Sequence, residues 1–133
     1  MISNEFFGQR ETLNLYHMFL QLAHTKTPVF QESKKLTLEC YRITKDFPKD
    51  EKFAMVQQMR RAALSAYLNI AEGCSRKSES ERRRFFEISR GSVIEVDAAI
   101  DIAYSLKYKT EEELKELGGY LVSTFKQLTG LIR

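Results

Sequence analysis

The sequence predicts an all-α fold: an antiparallel up-down-up-down four-helix bundle with an extra N-terminal segment. Apolar residues recur every three or four positions in four consecutive segments, which is the spacing of a helix with one buried face. No segment shows the alternation or the β-branched runs of a strand. The 133 residues include only two prolines and six glycines, and the links between segments are short, which makes consecutive helices antiparallel neighbours.

The first predicted helix covers residues 28–46. Thr27 suits the N-cap position and Pro28 the first helical position. The pair Phe47-Pro48 ends the helix, because the residue before a proline avoids the helical region. The apolar face consists of Val29, Phe30, Leu36, Cys40, Ile43 and Phe47.

The second predicted helix covers residues 49–74. Asp50 and Glu51 lie in its first turn, where acids interact well with the helix dipole. Gly73 ends the helix or lets the chain turn. The apolar face consists of Phe53, Val56, Met59, Ala63, Tyr67 and Ile70, and four further alanines widen it. A helix this apolar must be covered on more than one side.

The third and fourth predicted helices each begin with a capping box. The first box runs from Ser78 to Glu81 and the second from Thr110 to Glu113. The third helix ends near residues 107–109, and its apolar face consists of Phe85, Ile88, Ser92, Val96, Ala99, Ala103 and Leu106. The fourth continues with Leu114, Leu117, Leu121, Phe125, Leu128 and Ile132.

Length and composition indicate one compact domain. We assign the bundle domain to residues 28–133 and treat residues 1–27 as an N-terminal extension. Within the extension, residues 10–24 form a short amphipathic stretch around Leu13, Tyr16 and Leu20. This stretch is either a flanking helix packed on the bundle, a mobile tail, or a contact arm for a neighbouring subunit. Its side chains carry no net charge, which makes it a poor arm for nucleic acid.

Cysteine usage and hydropathy favour a cytoplasmic protein. Cys40 lies on an apolar helical face and Cys74 is far from it, so we expect Cys40 to be reduced and packed. No run of about 18 apolar residues is present, and the N-terminus lacks the charged and apolar regions of a signal peptide. We therefore expect no membrane contact.

The sequence contains no catalytic signature. It lacks the nucleophile-elbow, phosphate-loop, dinucleotide-binding and zinc-protease motifs. The two histidines, His17 and His24, would be about 10 Å apart on a helix, which is too far to share a metal ion. We expect no enzymatic activity, no cofactor, no metal and no small-molecule substrate.

Glycines within the predicted helices indicate close packing. Gly91 falls opposite Ala62 and Ala63 in the antiparallel arrangement, so we expect a tight helix crossing there. Gly118 and Gly119 are adjacent, at a cost of about 2 kcal/mol relative to alanine. They either permit close packing against Ala99 and Ile100 or bend the helix, and the sequence does not decide between these.

The pair Arg60-Arg61 approaches the buried stripe of the second helix. A buried arginine needs a partner, and Glu95 and Asp97 are nearest on the third helix. We expect an ion pair within or between subunits. The alternative is a basic lining that contacts phosphate.

The net charge of +3 is concentrated in one region. Residues 75–91 contain three acidic side chains and six basic ones, namely Arg76, Lys77, Arg82, Arg83, Arg84 and Arg90. We call these six residues the basic hinge. Arginines in the first turns of a helix oppose its dipole, whereas a guanidinium cluster suits phosphate. The alternative is a solvated charged face. We expect Glu72, at the end of the second helix, to form a structural ion pair with one of the arginines at 82–84.

Several of these pieces together resemble a known family. The spaced segments FP, QMRRAA, NIAEG, the basic hinge and GS are similar to bacterial four-helix-bundle proteins of the 23S rRNA intervening-sequence protein family. The resemblance covers about residues 28–133 and leaves out the N-terminal extension. It implies a helical bundle that assembles into a ring, usually a pentamer, with a nucleic-acid role and no known catalysis.

The function expected from the sequence is a non-catalytic homo-oligomer that binds RNA or DNA backbone. The resemblance implies the oligomer, and the basic hinge indicates the ligand. The alternative is a structural or protein-interaction scaffold that binds no nucleic acid.

Overall fold

Four helices form the bundle in the computed structural model, which describes residues 18–133. They are α1 (Pro28–Thr44), α2 (Met55–Ser75), α3 (Glu79–Ser105) and α4 (Glu111–Ile132). Each helix packs against the next, and α4 returns to pack against α1, so the four form a closed square. The described residues contain no strand. The predicted all-α bundle is confirmed, and its assembly into a ring stays a prediction.

The core lies along the axis of this square and draws on all four helices. Its fully buried aliphatic and aromatic side chains include Phe30, Leu36, Ile43, Met59, Ile70, Val93, Val96, Leu117 and Leu128. Small residues bring the helices together between these layers. The buried hydroxyl of Ser89 on α3 donates to the carbonyl of Ala66 on α2, which satisfies a polar group inside the apolar interior.

The start of the second helix differs from the prediction. Lys49–Glu51 form a 3-10 turn, and Ala54 takes a non-helical conformation before α2 begins at Met55. This turn interrupts the helical phase, so Phe53 is 80% exposed and does not join the core. Its assignment to the apolar face was wrong. The side chain of Glu51 instead accepts a hydrogen bond from the backbone N–H of Met55, at 3.4 Å.

Of the three predicted N-caps, those at Ser78 and Thr110 are present, and only the second is a complete capping box. Ser78 accepts from the backbone N–H of Glu81 at 3.1 Å. Thr110 and Glu113 form a reciprocal capping box, and the hydrogen bonds from Thr110 hold the pKa of the Glu113 carboxyl below its usual value. At α1, Pro28 occupies the first turn as expected, but the Thr27 hydroxyl donates to the carbonyl of His24 instead of capping the helix.

The buried face of α3 agrees with the prediction at Ser92, Val96 and Ala103, but in the first turns it is rotated by one residue. Phe86 is buried whereas Phe85 is only half-buried, because adjacent helical residues point about 100° apart and the packing against α2 selects one of them. Ile88 and Leu106 on α3, and Phe125 on α4, were expected in the core and are exposed by 38% or more. These assignments were wrong for the same reason.

The close helix crossing occurs at Gly73 and not at Gly91. A Cβ on Gly73 would lie 2.7 Å from Cε1 of Phe86. Gly73 therefore neither ends α2 nor turns the chain, since α2 continues to Ser75. Added Cβ atoms on Gly91, Gly118 or Gly119 would meet nothing within 4 Å. The close packing expected at Gly91 is therefore absent, and of the two alternatives for Gly118 and Gly119, close packing is the one the structure does not have.

The described part of the N-terminal extension contains no α-helix. Residues 18–22 are irregular, and Ala23–Lys26 form a 3-10 turn. Of the alternatives left open for residues 10–24, the flanking helix is therefore absent over residues 18–24, whereas Leu13 and Tyr16, like His17, lie outside the described residues. His24 packs its ring edge-on against Phe30, with ring centroids 4.8 Å apart.

Both cysteines are free thiols, as expected for Cys40. Burial raises the pKa of the Cys40 thiol to about 12 and raises that of the half-buried Cys74 thiol to a smaller extent. Cys40 is therefore a packed, protonated side chain at neutral pH. In the described part of the chain, no helix has the length and apolar character that a membrane span requires.

Candidate nucleic-acid interface

The basic hinge lies at one end of the bundle, where α2 turns into α3. The start of α1 and the end of α4 lie at the same end, because consecutive helices run antiparallel. We call this the basic end. Five of the six hinge residues lie in the turn or in the first two turns of α3, whereas Arg90 lies about 12 Å further along the helix axis from Arg82.

Arg76 is held within the hinge by two contacts. Its guanidinium forms an ion pair with Glu72 one turn back on α2, with the Nη2 and Oε2 atoms 2.9 Å apart. It also lies over the ring of Phe85, 4.8 Å from the centroid. The expected pairing of Glu72 with the arginines at 82–84 is therefore wrong, since its partner is Arg76.

Arg82 closes the turn between α2 and α3. Its Nη1 atom donates to the carbonyls of Arg76 and Lys77, at 3.0 and 2.7 Å. These carbonyls lie just beyond the last turn of α2 and have no helical partner. The positive charge in the first turn of α3 therefore has a structural purpose, although it opposes the α3 dipole.

Arg83 and Arg90 connect α3 to the end of α4. Arg83 Nε donates to the carbonyl of Ile132 at 2.9 Å, and Arg90 Nη1 donates to Thr129 Oγ1 at 3.3 Å. Arg90 also lies over the ring of Phe125, 5.8 Å from the centroid. Cations at the C-terminus of a helix interact favourably with its dipole, so these contacts stabilise the junction.

Lys77 and Arg84 are the two hinge cations with no hydrogen bond or ion pair to the residues that the structure describes. Both are exposed. Arg82 and Arg83 also keep donor groups that their backbone contacts do not use, because a guanidinium carries five N–H bonds. The hinge therefore presents two side chains without protein partners, Lys77 and Arg84, beside two guanidinium groups that keep unused N–H donors.

The fold brings further cations to the same end, which the sequence analysis did not identify. They are Lys26, Lys34, Lys35, Lys126 and Arg133. The half of the bundle formed by residues 18–35, 66–92 and 122–133 contains eleven basic and five acidic side chains, a net charge of +6. The other described half contains nine basic and eleven acidic side chains, a net charge of −2. The antiparallel topology alone could have identified this asymmetry.

Arg60 contacts α1 and not α3. Its Nε donates to Thr44 Oγ1 at 2.9 Å and its Nη2 to the carbonyl of Tyr41 at 3.2 Å. Its guanidinium lies over the Tyr41 ring, 4.8 Å from the centroid. The expected ion pair with Glu95 or Asp97 inside one subunit is therefore wrong, because Arg60 emerges on the side of α2 that faces α1.

The other residues of that predicted set lie at the surface. Glu95 accepts a hydrogen bond from Gln58 Nε2 at 2.8 Å. Arg61 is exposed, and its guanidinium lies 3.3 Å from the side-chain amide of Gln57 on its own helix. Asp97 is exposed and has no ion pair to the residues that the structure describes. A pairing of these groups between subunits stays a prediction.

Comparisons with known proteins agree with this architecture. The family model of the 23S rRNA-intervening sequence protein matches residues 25–130. No curated protein matches the chain.

A solved structure has the same fold. It is the crystal structure of a protein of unknown function from the S23 ribosomal protein family of Bacteroides thetaiotaomicron. The two chains are 18% identical, the match covers 79% of this chain and 98% of that one, and the TM-score is 0.71. Because the family model covers most of the bundle, the chain belongs to the 23S rRNA-intervening sequence protein family.

Proposed function

We propose that this protein is a non-catalytic helical-bundle homo-oligomer that binds the backbone of RNA or DNA through its basic end. The observation that carries the proposal is the net charge of +6 on one half of the bundle. At the end of this half, the side chains of Lys77 and Arg84 form no hydrogen bond or ion pair with the described residues. The family name points to RNA as the first ligand to test. The reduced thiols of Cys40 and Cys74 suit the cytoplasmic location expected from the sequence.

The chemistry of the basic end favours phosphate contacts over base reading. Arginine and lysine neutralise phosphates without regard to sequence. Of the two aromatic rings within the hinge region, Phe86 is buried and Phe85 is half-buried beneath Arg76, so neither is free to stack on a base. We therefore expect binding that depends on charge and shape, with little sequence preference.

Self-association would multiply this charge. Large exposed apolar patches usually mark interfaces, and exposed apolar side chains on the four helices include Leu38, Leu64, Leu68, Ile88, Ile94, Ile102, Val122 and Leu131. A ring, with the pentamer implied by the family resemblance, would place one basic end per subunit around the same axis.

A scaffold that binds no nucleic acid is the second candidate. It is favoured by the contacts of Arg76, Arg82, Arg83 and Arg90, each of which is engaged with a group of the protein itself. Under this alternative the basic hinge serves to join the helices.

The test removes only the cations that have no structural contact. Lys77→Gln/Arg84→Gln eliminates two positive charges at the basic end, and Lys49→Gln/Lys52→Gln eliminates two exposed charges at the opposite end as a matched control. Binding to mixed RNA and DNA pools is measured by gel shift across a salt series, with the oligomer mass measured in parallel. Each lost phosphate contact should reduce the slope of log affinity against log salt by roughly 0.7 to 0.9.

The proposal expects the hinge variant to bind more weakly, with a slope shallower by roughly 1.4 to 1.8, and the control variant to bind as the native chain does. If the native chain binds neither RNA nor DNA at low salt, the scaffold candidate replaces the nucleic-acid-binding proposal. Equal losses in both variants would mean that the basic end is not the binding surface.

A further inference from the structure

Two opposite sides of the bundle carry exposed apolar residues beside charges of opposite sign. The α1–α2 face contains Leu38, Tyr41, Lys45, Arg60 and Leu64. The α3–α4 face contains Ile94, Asp97, Asp101, Val122 and Phe125. Because the four helices form a closed square, these two faces point in opposite directions.

The α1–α2 face is defined by contacts across the two helices. Arg60 on α2 is bonded to the Tyr41 carbonyl on α1, and Leu38 and Leu64 lie one turn from these residues, toward the basic end. Leu38 is 59% exposed and Leu64 39%. Lys45 lies one turn from Tyr41 in the other direction and is exposed. This face is therefore apolar toward the basic end and positive toward the opposite end.

The α3–α4 face has the same arrangement with the opposite charge. Ile94 and Val122 are 53% and 55% exposed, and Phe125 lies toward the basic end, where it contacts Arg90. Asp97 and Asp101 follow Ile94 toward the opposite end. They line an open cleft together with Gly118, Lys115 and two glutamates, so carboxylates outnumber ammonium groups there. Gly91 and Gly118 leave open space on this face.

Asp97 and Asp101 stand four residues apart on one helix, and neither forms an ion pair with the described residues. Like charges at this spacing destabilise a helix. Among the described residues that line the cleft, Lys115 is the only cation against four carboxylates. A cation supplied by a neighbouring copy would offset this repulsion.

The two faces match in position along the bundle as well as in character. Tyr41 is level with Arg60, and Ser92 is level with Ser65, as their side-chain contacts require. Counting along the helices from these pairs puts Leu64 level with Ile94 to within one turn. The same counting puts Lys45 and Asp101 both level with the start of α2. A parallel neighbour therefore opposes apolar to apolar residues and positive to negative ones.

We propose that the α1–α2 face of one copy of this chain packs on the α3–α4 face of the next copy, with both bundles pointing the same way. This inference rests on the homo-oligomer of the proposed function and names its two surfaces. Such a contact is head-to-tail, and it closes into a ring when the rotation between neighbouring copies divides a full turn. All basic ends then lie on one side of that ring.

The test reverses one charge on each face of the full-length chain. Asp101→Lys and Lys45→Glu each place like charges at every junction and should weaken self-association at least tenfold. The combined variant Lys45→Glu/Asp101→Lys restores opposite charges and should recover the native mass. Glu116→Lys is the matched control, because Glu116 is exposed on the side of α4 toward α1, near Arg42, outside both faces. Masses are measured by light scattering and native mass spectrometry over a concentration series.

Recovery in the combined variant is the decisive result, because a general folding defect in either single variant would persist in it. If the native chain is oligomeric and both single variants behave like Glu116→Lys, the two faces are wrong while the oligomer stands. A native chain that is monomeric at tens of micromolar, with residues 1–17 or solvent covering these faces, overturns the contact and the oligomer together.

Discussion

Gly73 is the position at which the packing of α2 against α3 leaves no room for a side chain. A Cβ there would lie 2.7 and 3.0 Å from two carbon atoms of the Phe86 ring and 3.2 Å from Cβ of Phe85. The Phe86 ring is itself buried and cannot move aside freely. Gly119, in the interior of α4, faces open space instead.

We expect Gly73→Ala to destabilise the protein and Gly119→Ala to stabilise it. Alanine gains about 1 kcal/mol of helix propensity over glycine at either position. At Gly73 the added methyl group overlaps the buried Phe86 ring. Overpacking of this kind costs about 1–3 kcal/mol. Chemical denaturation of the two variants measures the difference. Equal stabilisation of both would show that α2 and α3 can separate at Gly73 without cost.

The sequence predicted the composition of the core better than the orientation of individual side chains. Phe85 and Phe86 are adjacent and equally apolar, so the helical period does not distinguish them; contact with Gly73 on α2 does. Gly91 was expected to mark the close crossing because glycine within a helix usually has a packing reason. The pairing of α2 with α3 decides which glycine has that reason, and a single sequence does not contain this pairing explicitly.

At the scale of elements, Arg60 fastens the end of α1 to α2. It donates to the Tyr41 carbonyl in the last turn of α1 and to the hydroxyl of Thr44. The carbonyls of a last helical turn have no partner within the helix. A cation there also interacts favourably with the helix dipole.

Replacing Arg60 by alanine should therefore destabilise the protein by about 1–2 kcal/mol, since the lost hydrogen bonds involve a charged donor but are partly exposed. Arg61→Ala is the control and should leave the melting temperature nearly unchanged, because its side chain is exposed on its own helix. Thermal melts of both variants decide the matter. A loss in Arg61→Ala as large as that in Arg60→Ala would contradict this assignment.

An ion pair at the end opposite the basic end makes stability depend on pH. Lys109 Nζ lies 2.7 Å from Asp46 Oδ1 and ties the α3–α4 connection to the end of α1. The hydrogen bond from Lys109 holds the pKa of the Asp46 carboxyl below its usual 3.8. This contribution to stability is present above about pH 4 and is lost as the pH falls through the lowered pKa.

Asp46→Asn should consequently be less stable than the native chain at pH 7, and the difference should shrink at pH 3. Urea denaturation at the two pH values measures it. Glu112→Gln, which removes an exposed carboxylate of the same bundle end, provides the comparison. A difference between Asp46→Asn and the native chain that stays constant with pH would be incompatible with the ion pair as its source.

Local sequence signals predicted those helix boundaries that depend on contacts between residues close together in the chain. The caps at Ser78 and Thr110 involve residues three positions apart. Both hydroxyls cap as expected, although the reciprocal bond of a capping box forms only at Thr110. The start of α2 depended on a tertiary contact instead. Glu51 accepts a hydrogen bond from the Tyr108 hydroxyl at 2.7 Å, so the chain before α2 is arranged around the α3–α4 connection. In the sequence, neither the length of the α3–α4 connection nor the acidic residues near Glu51 indicate the contact between Glu51 and Tyr108.

At the scale of the whole molecule, self-association should couple to folding. If subunits assemble through their exposed apolar faces, the melting temperature rises with protein concentration, because mass action favours the associated folded state. We expect this rise in scanning calorimetry over a hundredfold concentration range. The variant Asp101→Lys should reduce it, and a melting temperature independent of concentration would contradict the oligomer.

The separation of +6 from −2 along the bundle gives each subunit an electric dipole parallel to its helices. In the field of a polyanion, this dipole experiences a torque before any atoms touch, which turns the basic end forward. Oriented encounters raise association rates above those of random collision. The field that exerts the torque decays over about 8 Å at physiological ionic strength, so added salt would remove the orientation before it removes the bound state.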